Sequence, residues 1–484
     1  MTREEINKIA SSDDFKIIVS SISKDRKIIV GEKDITVAEC LKQYNPHTHK
    51  VADPKERPDK IISEEGEIIH DAINGLDRNT TDYATVKVNR LPIPVQKRIV
   101  LIAATFLIGD KINLESTADN DTDKELEKHI RKVWKDTKLD FQSKEIAKLM
   151  MSETHCAELW YDYEDKDYWR GTSLKDSIKR FGVKILAESK GDKLFPVFDE
   201  YDDLIAFGRG YHVVKGNKSI EHFDLYTSEK IIQGVRENAN AEWEYDTKVN
   251  PYGAIPVIYY SQDAPEWADV QALIERKESR FSDFADTNDY FADPALIAEG
   301  DVKSLPGKAE VGKSYQVTGG GKVSYLTWDS APDAIKMEFE YLDKEIYANT
   351  HTPDVSFESM KGMIGNVSGI ALKLLFMDAQ IKASDKQESF GILIQRRLNL
   401  LKRMVASLSK GDYENNTLDL YPIFKPYMPI NDVEYNDLLI KAYEAGMISK
   451  KTMVSKSTLV QDAETELEEL EKEPKKVEIM KNNM

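Results

Sequence analysis

Two helix-start signals of one form stand 67 residues apart: Asp263-Ala-Pro-Glu266 and Ser330-Ala-Pro-Asp333 each put a capping side chain three residues ahead of an acid. After the first, Trp267, Val270, Ile274, Phe281, Phe284 and Phe291 keep a 3-4 spacing interrupted at Lys277 and Asn288; after the second, Ile335, Phe339, Leu342 and Ile346 keep the same spacing. At 1.5 Å per residue this predicts two amphipathic rods of about 37 and 28 Å. The stretch between them, 293–329, is Gly-rich and β-type. Long rods joined through a small β-unit have few folding solutions. Their apolar stripes are covered either by each other, as an antiparallel pair within one chain, or by further copies of the chain.

The remaining pattern predicts an α+β chain. Residues 1–60 are mixed and polar, and His47 and His49 are read as surface histidines, since no cysteine or acidic cluster joins them at ligand spacing. Asn89, Pro92 and Pro94 introduce a buried apolar helix through Ile99, Ile102 and Phe106, with Gly109 at its C-terminal cap. Residues 125–262 read as one helix near 126–151, then short strands at 157–163, 183–187, 205–214 and 219–226 and, after the turn Asn250-Pro-Tyr-Gly253, at 255–260. Pro353 and three glycines exclude regular helix from 351–369. From 370 to 408 one helix of about 58 Å is expected, striped by Phe390, Ile394, Leu398, Leu401, Val405 and Leu408. Helices at 432–446 and 462–473 and a charged tail, 474–484, close the chain.

Composition excludes several classes of function. The 67 Lys and Arg against 85 Asp and Glu give a net charge of -18, the wrong sign for a surface that grips phosphate throughout. The longest uncharged apolar run, 99–108, is too short for a membrane span, and the N-terminus has no signal-peptide pattern, so a soluble intracellular product is expected. Cys40 and Cys156 support neither a disulfide framework nor a zinc ribbon. No Ser/His/Asp set emerges from eight scattered histidines, and the many acids read as solvated faces. No catalytic residue, metal or cofactor is expected.

One motif points the other way. Gly307-Lys-Ala-Glu-Val-Gly-Lys-Ser314 matches the P-loop pattern GxxxxGK[ST] letter for letter. A P-loop needs a buried strand before it and a helix after it, whose first amides receive phosphate. Here Lys303-Ser-Leu-Pro306 precedes, and Tyr315-Gln-Val-Thr318 with Gly319-Gly-Gly321 follows, a strand and a turn. The acids Asp199-Glu200 lie upstream, and Pro196 interrupts the run before them, so they are not read as magnesium ligands.

Several stretches together resemble the portal proteins of long-tailed phages. These are Val88-Asn-Arg90 with the helix ending Phe106-Leu-Ile-Gly109, Asn250-Pro-Tyr-Gly-Ala-Ile-Pro256, the two capped rods, His351-Thr-Pro-Asp354, Ser368-Gly-Ile-Ala-Leu-Lys373, and Ala445-Gly-Met-Ile-Ser449 before an acidic helix. Their order carries the resemblance from about residue 82 to 473. It implies a portal-like fold: wing at 1–262 and 370–425, helical-hairpin stem at 263–290 and 330–350, clip at 291–329, tunnel loop at 351–369 and α-helical crown at 426–473.

The resemblance further implies a ring, about twelve subunits, at one capsid vertex of the virion, assembled in the host cytoplasm. Packing around a closed axis would then bury Trp267, Ile274, Phe281, Phe339 and Leu342 between subunits. Met360, Lys361, Met363, Ile364, Asn366 and Val367 would line the constriction around double-stranded DNA, the flexible methionines sliding past the phosphates and Lys361 adding one screened charge per subunit. Lys308, Lys313 and Lys322 would dock clip partners. The implied partners are a large terminase motor, the major capsid or scaffolding protein and a head-tail adaptor, with no membrane. A P-loop ATPase of the packaging motor and a plain structural ring adaptor are the competing readings.

Overall fold

A computed structural model of the chain describes residues 1–12, 14–63, 83–109, 111–216, 218–238, 240–291, 296–299, 302–304, 316–317, 322–325, 332–353, 374, 376–409, 411, 413, 416–425, 432–460 and 463–472. The fold mixes helix and sheet, as expected from the pattern.

The N-terminal stretch is more ordered than its composition suggested. Helices Arg3–Ile9 and Phe15–Ile22 lie on a five-stranded antiparallel sheet, burying Ile6, Ala10, Phe15, Ile18 and Ile22 against Phe195, Ile205, Ala206, Phe223, Leu225 and Ile232. Thr2 and Glu5 form a reciprocal capping box that starts the first helix. The sheet runs in the order Glu244–Val249, Lys230–Arg236, Lys218–Tyr226, Leu204–Lys215, Asp192–Phe198. Sequence reasoning passed over its outermost strands and Lys230–Arg236. Pro196 is compatible with Asp192–Phe198 because that strand is an edge, where a missing amide donor breaks no ladder.

A second sheet, of three strands, has His155–Glu164 at its centre, between Val257–Ser261 and Lys179–Leu186. The main core packs against it, built from helices Val95–Ile108, Asp121–Asp136, Leu139–Glu153 and Met377–Ala406. Val95–Ile108 is buried as expected and ends at Gly109, whose φ of 44° lets its amide bond the Thr105 carbonyl at 2.8 Å. The single helix expected near 126–151 is two, because Lys138 takes a left-handed conformation, φ 55° and ψ 43°, and turns the chain.

The long helix runs Met377–Ala406, about 45 Å, and the first residues assigned to it, 370–373, lie outside the described set. Of its expected stripe, Phe390, Ile394, Leu398, Leu401 and Val405 are buried, whereas Leu408 falls past the helix end, in a turn, and is half-buried. The chain returns through strand Leu420–Ile423, paired with Asn113–Ser116, to helices Asp432–Glu444, Lys450–Lys456 and Ala463–Lys472.

Both rods exist. The first, Gln271–Phe291, begins later than its start signal, after a tight turn at Ala268–Val270. The Glu266 carboxylate does not close a capping box; it is drawn into the core by two lysines. The second rod, Pro332–Asn349, has proline as its first helical residue, where a missing amide costs nothing. Between the rods, Leu296–Glu299 pairs with Lys322–Tyr325 and Val302–Ser304 with Gln316–Val317, both antiparallel.

Candidate functional site

The two rods lie antiparallel, joined by ion pairs and an aromatic contact. Lys277 pairs with Asp343, and Arg276 and Arg280 both reach Glu338, at 3.0 and 3.6 Å. Phe281 meets Phe339 edge-on, ring centroids 6.0 Å apart. This gives the first rod a basic side turned to the acids of the second.

A second face of the first rod is acidic. Glu275, Glu278, Ser282, Asp286 and Asp289 recur at helical spacing, and each is bonded by residues from 49–57 or 89–91. Lys50 takes Glu275 at 2.9 Å, and Arg57 forks across Asp283 and Asp286 at 2.8 and 2.7 Å. The Asn89 amide donates to Asp286 at 2.6 Å, and its side chain to Asp289 at 2.6 Å. Glu278 is buried; its Oε1 accepts the Ile93 amide at 2.7 Å and faces His49 Nδ1 at 2.6 Å, while His49 Nε2 faces the Gln43 carbonyl at 2.7 Å. His49 is therefore not the surface histidine expected from the sequence. It plugs the base of the rod.

The expected inter-subunit set divides. Trp267 and Ile274 are already fully covered by this chain, Trp267 stacking on Tyr44 and donating Nε1–H to Gln43 at 2.9 Å, so neither is free for a neighbouring copy. Phe339 and Leu342 are half-buried, and Phe281 stays 41% exposed. The reason is that the bases of both rods, at Ile274 and Ile346, are rooted in the main core, whereas the 3-4 spacing only says that a face is apolar. Met337 and Tyr341, which the sequence reading did not single out, are the more exposed apolar side chains of the second rod, at 55% and 59%.

Glu266 joins the rod pair to the long helix. Its carboxylate is almost wholly buried between the ammonium groups of Lys382 and Lys386, at 2.7 and 2.6 Å. Burial alone would raise its pKa, but the two lysines overcome that and hold it below the ordinary carboxylate range. Lys382 also donates to the Thr350 carbonyl at 2.9 Å, just past the second rod, and Lys386 to Gln262 at 3.2 Å, just before the first. Lys382 and Lys386 thus tie Glu266 and the residues beside both rod bases to the long helix.

The loop residues Met360, Lys361, Met363, Ile364, Asn366 and Val367 lie outside the described residues, as do Lys308 and Lys313. Lys322 opens strand Lys322–Tyr325 in register with Glu299. The P-loop match, 307–314, spans the connection between two strands paired antiparallel, and the element following it is strand Gln316–Val317 rather than a helix. That context lacks the helix N-terminus a P-loop uses.

Known proteins resemble the chain at three levels. Two solved particle necks are similar at a TM-score of 0.40: that of an empty GTA particle computed with C6 symmetry, 10% identical, covering 74% of this chain and 86% of that one, and that of a native GTA particle computed with C12 symmetry, 8% identical, covering 90% and 96%. The portal protein of Bacillus phage SPP1 is 24% identical over 240 residues, 48% of this chain and 47% of the relative, so the chain spans about half the length of that curated relative. The family described as "Phage portal protein, SPP1 Gp6-like" matches residues 41–479, nearly the whole chain, and to that phage portal family the chain belongs.

Proposed function

We propose that copies of this chain close into a ring, about twelve subunits, forming the channel through which double-stranded DNA enters and leaves a phage capsid at one vertex of the virion. The observation that carries this reading is the rod pair. It is rooted in the core, zipped by charge, tied to the long helix through Glu266, and tipped by a small β-unit, while Phe281, Met337 and Tyr341 stay exposed on a single copy. In the ring the rods, 263–290 and 330–350, act as the stem, 291–329 as the clip, and 351–369 as the loop facing DNA. Residues 1–262 and 370–425 act as the wing and 426–473 as the crown, followed by the charged tail 474–484.

The ring is a passive conduit. A net charge of -18 disfavours counterion-releasing grip on the duplex, so DNA slides rather than binds. Force comes from a separate terminase motor docked on the clip, where Lys308, Lys313 and Lys322 meet partners; the capsid or scaffolding protein and a head-tail adaptor complete the assembly. Neighbouring copies cover Phe281, Phe339 and Leu342, together with Met337 and Tyr341. Replacing residues 360–366 with a Gly-Ser linker leaves ring assembly intact and reduces packaged or retained DNA. Undiminished packaging by that variant would remove the loop from the account.

A further inference from the structure

The five-stranded sheet and its helical cover are built as a receptor and a ligand. Phe15, Ile18 and Ile22 project from one face of helix Phe15–Ile22 and are all buried. The sheet is notched to receive them. A Cβ at Gly234 would lie 2.1 Å from the Phe15 ring, and one at Gly208 would lie 2.7 Å from Ile22, so side chains have been left out where the helix presses closest. Phe223, Trp243 and Tyr245 surround the Phe15 ring, with centroids 6.2, 5.2 and 5.3 Å away. An amphipathic helix laying spaced anchors into a fitted apolar groove is a general mode of helix recognition.

The cover is also separable from the rest of the fold. Its apolar residues form a cluster with the sheet alone, apart from the main core. A groove of about 480 Å³ runs between helix Arg3–Ile9 and the long helix, with Arg3, Ile6 and Asn7 on one side and Leu393 and Arg396 on the other. Residues 24–27 have neither helix nor strand, and Arg26 is pinned to the body, donating to the Tyr259 hydroxyl at 3.1 Å and the Gln262 carbonyl at 2.5 Å. The tether between docked helix and anchored body is therefore three residues, 23–25. The family match begins at residue 41, beyond the whole cover.

We infer that the outer face of the five-stranded sheet is a helix-docking site, and that residues 1–22 are its built-in occupant, an arm that lifts and reseats as a unit while everything from Arg26 onward stays folded. The site takes an amphipathic helix with an aromatic anchor followed by aliphatic anchors three and seven residues later. This does not depend on ring formation.

The test uses the full chain with a protease site inserted between Lys24 and Asp25. After cleavage, a fluorescein-labelled peptide of residues 1–24 replaces the severed arm, read by anisotropy, and unlabelled peptide competes it off. The Phe15→Ala peptide binds about a hundredfold more weakly, as expected for emptying a fitted aromatic site. In the uncut chain, hydrogen exchange of 3–22 is faster than that of strand Lys218–Tyr226 beneath it. Four results would overturn the inference: a severed arm that never exchanges, a cleaved chain that loses its fold and binds no peptide, equal binding by the Phe15→Ala peptide, or identical exchange rates in arm and strand.

Discussion

Arg397, on the long helix, grips both carboxylate oxygens of Glu158 on the central strand of the three-stranded sheet, with bonds of 2.6 to 3.0 Å, and neither side chain has any exposed surface. Ser143 Oγ accepts from Nη1 at 2.8 Å and the Tyr260 hydroxyl from Nη2 at 3.0 Å, and Trp160 donates to Glu158 at 2.9 Å. This buried network fixes how the long helix crosses the sheet.

Breaking that pair strands a charge in a dry core. Arg397→Leu lowers stability by about 3–5 kcal/mol, whereas Arg397→Leu with Glu158→Leu recovers part of the loss. Urea unfolding followed by tryptophan fluorescence checks this, since Arg397 lies 5.4 Å over the Trp134 ring. Equal losses in the single and double variants would mean that packing, not charge, dominates.

Glu266 gives stability an acid limb. Its pKa is lower folded than unfolded, so its contribution is present above the ordinary carboxylate value of about 4.3 and is lost as pH falls through the folded value. Glu266→Gln should cost about 2 kcal/mol near pH 7, with the gap to wild type closing in strong acid. Unfolding midpoints at both pH values measure it; a gap independent of pH would contradict the assignment.

The acidic face of the first rod separates buried from exposed charge. Glu278→Ala removes the carboxylate that faces His49 Nδ1 and accepts the Ile93 amide and should cost about 3 kcal/mol, with faster hydrogen exchange along Gln271–Phe291. Arg276→Ala, whose side chain is 50% exposed, should change stability by less than about 1 kcal/mol.

The P-loop match makes a prediction of its own. With strands on both sides of 307–314, the purified chain hydrolyses no ATP above background, and Lys313→Ala leaves that background unchanged. A phosphate-release assay on both proteins decides it.

Elements governed by local periodicity were legible from the residues: both rods, the buried stripe of the long helix, the Gly109 cap, and the strand after the P-loop match. What periodicity cannot say is which surface covers a stripe. Trp267 and Ile274 read as inter-subunit contacts and are instead covered by Tyr44 and the main core, because the cover comes from distant parts of the chain that local spacing does not reveal. The spacing of Glu275, Glu278, Asp286 and Asp289 was visible too, but looked like a solvated face until residues 49–57 and 89–93 were folded against it. Lys138 ends a helix through its backbone conformation, with no glycine or proline to announce it.

The central claim is that this chain closes into a ring. Native mass spectrometry of the purified protein, with electron micrographs of the same sample, tests it directly. The account predicts a closed assembly of about twelve copies with an axial hole, lost when the exposed Phe281 and Tyr341 are both changed to glutamate. A compact species of one copy, in the presence of the phage partners as well as alone, would contradict it.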